Sequence, residues 1–292
     1  MTFANQVKQT LNHIISEMAQ SPGLFSYNPK SDFSFDPNTP TNSAFYQQHS
    51  KLLPETFPFL FHEFNAAYPF TFYKGKYQLL ACDGSSFTFT RNPDDPDSYF
   101  PPNGKTTNGY NQIHAVTLFD LLSKRYCDCI VQPVRKKNEF QALYTLIDRY
   151  HAPSGKKPIF IADRGFHSFN AFAHAIEHES YFLIRAKNVN MMRLLGTDIP
   201  ENSQNFDIQV NRILTRIKSK KKRLHPKLAE QYRLICKNVT FDYIDPEKKN
   251  EYPISLRLLR FKISEDGYEN IITNLPASEF SAEEIKMLYN LR

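Results

Sequence analysis

Tryptophan is absent from this chain of 292 residues, and cysteine is scarce, at four. The aromatic content of 14% is carried by 25 Phe and 16 Tyr. That composition points to a phenylalanine-rich core and by itself says nothing of base stacking. The cysteines are Cys82, Cys127, Cys129 and Cys236. Only Cys127 and Cys129 are close, and one C-x-C pair without a second does not make the four-ligand set of a structural zinc site. The first ten residues, MTFANQVKQT, lack the apolar core of a signal peptide. No apolar run approaches the roughly 18 residues needed to span a bilayer. His174 and His178 stand four apart, but the stretch between them reads HAIEH, not H-E-x-x-H, which leaves a zinc hydrolase without its motif. These absences lead us to expect a soluble protein of a reducing compartment, the cytoplasm, with no membrane partner.

What is present is a modest excess of positive charge, +6, with a pI of about 9.0. That excess favours a polyanionic partner and is equally the charge of many ordinary soluble proteins. Residues 1–70 read as a helical N-terminal domain. Phe3, Val7, Leu11, Ile14, Ile15 and Met18 form one apolar stripe over 3–20. Pro22 and Gly23 end it. Thr41-Asn42-Ser43 can cap a helix to about His49, and Pro54 can occupy the first turn of another that ends before Pro69. A packing or dimerising lobe explains this pattern as well as a DNA-binding one does.

From Phe70 the period changes. Thr71–Tyr73, Tyr77–Cys82 and Phe87–Thr90 read as strands, with a turn at Lys74-Gly75-Lys76. Residues 91–109, broken by four prolines, read as a loop close downstream of Asp83. Tyr110–Asp120 and Arg125–Gln132 are further strands, and Asn138–Tyr150 is a helix. Ile159–Ala162 is a buried strand delivering Asp163, and a helix begins near Ser168 and runs to about Glu179. Tyr181–Ala186 is again a strand. Strands interleaved with helices over 71–187 predict an α/β core: a mixed sheet flanked by helices.

Helix signals fade over 188–275. Strand-like runs at Gln209–Thr215, Tyr232–Tyr243, Ile254–Ile263 and Tyr268–Thr273 predict an inserted antiparallel β region. Between the first two lies KSKKKR, with Lys218, Lys220, Lys221, Lys222 and Arg223, the densest positive run. It reads as a DNA-binding hairpin or as a solvated tip. Ser281 and Glu284 form a capping box for a helix within 276–292.

Two apolar strands, QLLACDGSS and PIFIADRGFHS, each lead into an aspartate, Asp83 and Asp163. Carboxylates on rigid strand mounts suit magnesium, a hard cation that takes oxygen ligands at about 2.1 Å and keeps several waters. Two such ions can activate an attacking oxygen and stabilise a leaving one. The plain alternatives are helix capping by Asp163 and a turn at Asp83-Gly84. His114 and His167 lie nearest in sequence and read first as structural histidines.

LLACDGS, GYNQIHAVTLFD, PIFIADRGFHS and YFLIRAK, in this order, resemble the DDE transposases of the IS4 family. TNSAFYQQHSKLL is similar to that family's N-terminal helical segment, so the likeness covers roughly residues 40–292. The resemblance implies an RNase H-like catalytic fold, with Asp83 and Asp163 as catalytic residues and metal ligands. It implies Mg2+ as cofactor, with Mn2+ as a substitute. The partner is then double-stranded DNA, transposon ends and target, and the resemblance leaves room for a homodimer in the DNA complex. The implied activity is phosphodiester hydrolysis at the transposon ends followed by strand transfer. Arg164, Arg185 and Lys187 become candidates for gripping DNA phosphates, together with the KSKKKR run. A β-rich insertion between the second aspartate and the glutamate is a family feature that 188–275 fits.

In the family the glutamate sits on the helix after the insertion, within a Tyr, Arg, Glu, Lys signature. EFSAEEIKMLYNLR resembles the lead-in to that helix. The expected glutamate would therefore follow Arg292, and Glu279, Glu283 and Glu284 are not assigned to the role. On that expectation 276–292 is the start of the core helix, and the chain is a truncated transposase of impaired activity. A DNA-binding remnant without catalysis is the alternative. A glycosidase using Asp83 and Asp163 would need a sugar cleft and one raised pKa, and neither the missing tryptophan nor the basic balance favours it.

Overall fold

The computed structural model describes residues 53–104, 106–196, 198–201, 203–217, 229–244, 251–265 and 267–292. The helices expected over 3–20 and 41–49 and the basic run 218–223 lie outside these residues. The chain divides into two compact units, residues 1–69 and 70–292. In the first, the structure describes helix α1 (Thr56–Ala67), whose N-cap is Glu55. Pro54 thus precedes the cap and lies outside the first turn.

The second unit is a mixed α/β fold, consistent with an RNase H-like domain. It is built on ten strands in one sheet: β1 (Tyr77–Phe89), β2 (Tyr99–Phe100), β3 (Tyr110–Asp120), β4 (Arg125–Pro133), β5 (Lys157–Ala162), β6 (Tyr181–Ala186), β7 (Phe206–Thr215), β8 (Tyr232–Leu234), β9 (Glu251–Lys262) and β10 (Tyr268–Thr273). Their order is β2-β3-β1-β5-β6-β10-β9-β7-β8, with β4 paired to β3. β1, β5 and β6 run parallel at the centre. Such strands are covered on both faces and read as continuous apolar runs. Ile159, Phe160, Ile161 and Ala162 are accordingly all buried.

Alternation divides the core in two. Leu80, Cys82, Phe160, Ala162, Phe182 and Ile184 face α2 (Glu139–Arg149), α3 (Phe169–Glu177) and α4 (Asn188–Leu195). Leu79, Ala81, Ile159, Ile161 and Leu183 face Phe280 and α5 (Ala282–Asn290). The helices start where their caps direct. Asn138 Oδ1 accepts from Gln141 N at 3.0 Å, and Ser168 Oγ accepts from Asn170 N at 3.1 Å. The capping box of Ser281 and Glu284 is present.

Four expectations need correction. Asp83-Gly84 is no turn, and Asp83 does not end its strand. β1 continues to Phe89 because β3 pairs with it antiparallel from Leu80 to Phe89. Residues 232–243 are not one strand. Only Tyr232–Leu234 pairs, alongside β7. Beyond it the Arg216 guanidinium donates to the carbonyls of Cys236 and Val239 at 3.0 and 3.1 Å, so those carbonyls need no ladder. Helix α4 was not expected. Met191, Leu194 and Leu195 supply its buried face and Gly196, at φ +61, ends it, but its cap residue Lys187 makes no side-chain cap bond. The loop over 91–109 also contains a two-residue strand, β2, paired to β3. Strands β7, β9 and β10 pair antiparallel and extend the central sheet through β6.

Candidate active site

The last residues paired between β1 and β5 are Cys82 and Ala162. Parallel neighbours lie about 5 Å apart, and the next residue on each strand is Asp83 and Asp163. The same row continues into β6, where Ala162 pairs with Ile184 and Arg185 follows. By alternation Asp83 and Arg185 lie on the α5 face, and Asp163 follows in the same alternation. Here β5 turns away. Asp163 Oδ1 accepts from Gly165 N at 2.6 Å, and residues Arg164–Phe166 form a 3-10 turn. So Asp163 does cap a turn, with one of its two oxygens. Its Oδ2 has no hydrogen-bond partner among the described residues.

Asp83 is the exposed end of a buried run, with its side chain 65% accessible. Its Oδ1 accepts from Gly84 N at 3.0 Å and lies 3.3 Å from Arg292 Nη2. The arginine paired with an acid of the site is therefore Arg292, at the C-terminal end of α5, and not Arg164, which is exposed. Sequence reading missed this role. Arg185 Nε lies 3.7 Å from Glu269 Oε1. Burial raises the Tyr289 pKa while Arg292 and Arg185 lower it, so both cations lie close to that phenol. Lys187 is exposed. Burial first, and then the charge of Asp83, push the Cys82 thiol up and keep it protonated.

The acids near α5 are held elsewhere. Glu284 Oε1 bonds to Tyr73 and lies 2.6 Å from Lys74 Nζ. Its Oε2 accepts from Ser281 N at 3.3 Å. Glu279 Oε2 bonds to Tyr77 and accepts from Lys76 at 3.2 Å. Tyr73 precedes β1 and Tyr77 begins it, so these glutamates sit at the far end of that strand from Asp83. Glu283 is exposed in the first turn of α5.

The expected histidines have structural surroundings. His114 is buried, with Nδ1 2.9 Å from Ser86 Oγ. His167 packs edge-on to Phe172, and Asn190 Nδ2 is 3.3 Å from its Nδ1. It sits among the residues of the α2–α4 face, across the sheet from Asp83. His174 joins three segments. Its Nδ1 is 2.6 Å from Asp148 Oδ1 and its Nε2 is 3.0 Å from Asp242 Oδ2, and it stacks on Tyr144. With His178, whose Nε2 is 3.2 Å from Asp148, this is a donor set that could hold a metal ion. Both His174 nitrogens already face carboxylates, which accounts for the cluster as a hydrogen-bonded junction.

The Asp83–Asp163 pair offers only oxygen donors on rigid mounts, Asp83 exposed and Asp163 half-buried. That donor set fits a hard divalent cation such as Mg2+ or Mn2+ better than zinc.

Two adjacent parallel strands bring two aspartates to neighbouring positions inside a mixed sheet covered by helices. The Transposase DDE domain family model matches residues 74–292. The chain belongs to this family of DDE transposases, whose activity is metal-dependent DNA cleavage in transposition. No curated protein matches the chain. No helix among the described residues is long and apolar enough to cross a membrane.

Proposed function

We propose that the chain is a transposase of the IS4 type in which Asp83 and Asp163 hold Mg2+, with Mn2+ as substitute. Its reaction is hydrolysis of a phosphodiester at each transposon end, then transfer of the freed 3'-hydroxyl to target DNA. The observation that carries this reading is the parallel register that sets Asp83 and Asp163 side by side at the point where β5 ends. The bound ions would supply an activated water and a counter-charge for the phosphate oxygens.

The chain's own groups do the rest. Asp83 and Asp163 each keep one oxygen without a hydrogen-bond partner among the described residues. Arg292 holds the other oxygen of Asp83 at 3.3 Å. Arg185, in the same row of the sheet, presents its charge where a phosphate would approach, and Arg164 and Lys187 flank the row from exposed positions. The basic run 218–223 is a further candidate for DNA contact, by its charge. In this reading 1–70 is the N-terminal domain, 71–187 the first part of the core, 188–275 the insertion and 276–292 the opening of the core helix. In this reading the protein works in the cytoplasm, with a homodimer as one form of its DNA complex.

The test is nicking of double-stranded DNA in Mn2+ by the chain and by Asp163→Asn. Nicking that D163N abolishes supports the reading. Nicking that survives D163N overturns it.

A further inference from the structure

Hydrogen bonds account for His174, but not for the whole cluster around it. The His174 ring is fixed in place. It stacks on Tyr144 with 3° between the planes and meets Tyr243 edge-on. Asp242 Oδ2, 3.0 Å from Nε2, also accepts from Asn170 Nδ2 at 2.8 Å. A carboxylate only accepts, so Nε2 carries the proton. In the neutral ring Nδ1 then turns its lone pair to Asp148 Oδ1, a second acceptor 2.6 Å away. Two acceptors that close need a positive charge between them. Either a second proton on the ring or a metal ion supplies it.

His178 distinguishes the two. It is the C-cap of α3, four residues after His174, so both rings project from one side of the helix. Its Nε2 is 3.2 Å from the same oxygen of Asp148, yet no hydrogen bond joins the two among the described residues. A second proton on His174 does not explain that approach. A metal ion does, because its ligands crowd together without bonding to one another. One donor atom from each of Asp148, His174 and His178 lies within 4.8 Å of the other two. A tetrahedral set about 2.0 Å from an ion spaces its atoms about 3.3 Å apart, so His178 and Asp148 already stand at ligand spacing. The Asp148 side chain is 40% accessible, which leaves it room to swing outward from Nδ1 and leaves water a path to a fourth position.

The surroundings fit the same role. A ligating imidazole is held in its tautomer by a carboxylate on its other nitrogen, the place Asp242 occupies. Two imidazole nitrogens with one carboxylate oxygen suit Zn2+ rather than Mg2+.

We infer that Asp148, His174 and His178 form a structural Zn2+ site, with Asp242 fixing the His174 tautomer. The ion ties the end of α2 to the end of α3 and, through Asp242, to residues 241–243, which belong to no strand. Asp242 N donates to Asn170 Oδ1 at 2.9 Å and reinforces that tie. The donors include neither Asp83 nor Asp163, so the site stands whether or not those two hold Mg2+.

The experiment takes the chain freed of metal by a chelator. Zn2+ is titrated in a calorimeter, Co2+ is titrated for its visible absorption, and the chain is melted with and without Zn2+. The variants are His178→Gln, Asp148→Asn and, as a control at the aspartate pair, Asp163→Asn. The native chain is expected to bind Zn2+, to give the intense visible band of four-coordinate Co2+, and to melt about 5 °C higher near saturation. H178Q and D148N should each weaken Zn2+ binding at least about tenfold and lose the Co2+ band. The metal-free melting temperature of H178Q should hardly change, since His178 is exposed. D163N should keep both the ion and the band. If no Zn2+ binds, or if H178Q and D148N bind it as tightly as the native chain does, a proton alone closes the His174 junction and the inference falls. If D163N removes the ion while H178Q keeps it, Zn2+ sits at the aspartate pair, and the inference falls while the metal-centre reading stands.

Discussion

The two ends of the buried run of β1, Tyr77–Cys82, both gather carboxylates, and they treat them in opposite ways. At the start of the strand, Glu279 and Glu284 meet the hydroxyls of Tyr73 and Tyr77 and the ammonium groups of Lys74 and Lys76. Phe280 is fully buried there between Tyr77 and Tyr73, and its carbonyl accepts from the buried Arg257 at 2.8 Å. At the other end, Asp83 and Asp163 stand where the apolar run gives way to exposed residues, each with an oxygen left over. Glutamates close to a catalytic signature in sequence turn out to lock the helix, while aspartates near it in space are free to take a ligand. What separates the two groups is the number of donors that surround each acid, which follows from the tertiary position of α5 against β1.

The largest effect that would break this comparison is at the open end. Asp163→Asn, or Asp83→Asn, should reduce metal-dependent DNA nicking by the active form at least about 100-fold, beyond the range known for groups that only orient a ligand. The melting temperature should hardly change. Equal activity in the variants would place the chemistry elsewhere. At the locked end the effects should be in stability. Phe280→Ala removes a fully buried ring and should cost about 3–5 kcal/mol, read in urea unfolding of the chain. A loss under about 1 kcal/mol would mean that α5 is not anchored there.

Acid sharpens the same contrast. Hydrogen bonds from Tyr77 and then Lys76 hold Glu279 below the usual glutamate range. Burial pushes Glu284 up, but hydrogen bonds from Lys74 and Tyr73 outweigh it and the net shift is also downward. A carboxylate held low stabilises the fold above its unfolded pKa, and that contribution is lost as pH falls through the folded value. Stability should therefore be level above about pH 4.5, the ordinary range for glutamate, and decline below it. The double variant E279Q/E284Q should flatten that decline, and an unchanged acid limb would show that these contacts do not link to folding. The smallest effect belongs to Arg292→Ala. Its pair with the exposed Asp83 is worth less than about 1 kcal/mol, so urea unfolding should barely move.

Much of the sheet was legible in the residues. Tyr110–Asp120, Tyr181–Ala186 and Tyr268–Thr273 are strands at the predicted bounds, and the capping box at Ser281 stands as read. These are local patterns, in which a period of two or a side chain three residues from its partner carries the information. The misreadings share a cause as well. Asp83-Gly84 has turn-forming residues, yet β3 offers ten successive partners and the strand runs on. Residues 235–243 have strand-like residues, yet Arg216 satisfies their carbonyls from outside. Much of the positive charge also goes inward. Arg212, Arg257 and Arg260 are buried. Arg212 caps the end of α4 through the carbonyls of Leu194 and Leu195, and Arg257 pairs with Asp207 at 2.5 Å.

The sequence by itself determined the α/β class, the main central strands and the capped starts of α2, α3 and α5, because hydrophobic periodicity and capping are written in residues a few positions apart. Only the tertiary structure decided which charged groups meet. Tyr73 and Glu284 are 211 residues apart in the chain, and Arg292 reaches Asp83 from the far end of the molecule. Such meetings depend on strand order and register across the sheet, which no local pattern encodes, since any of several pairings would bury the same apolar faces.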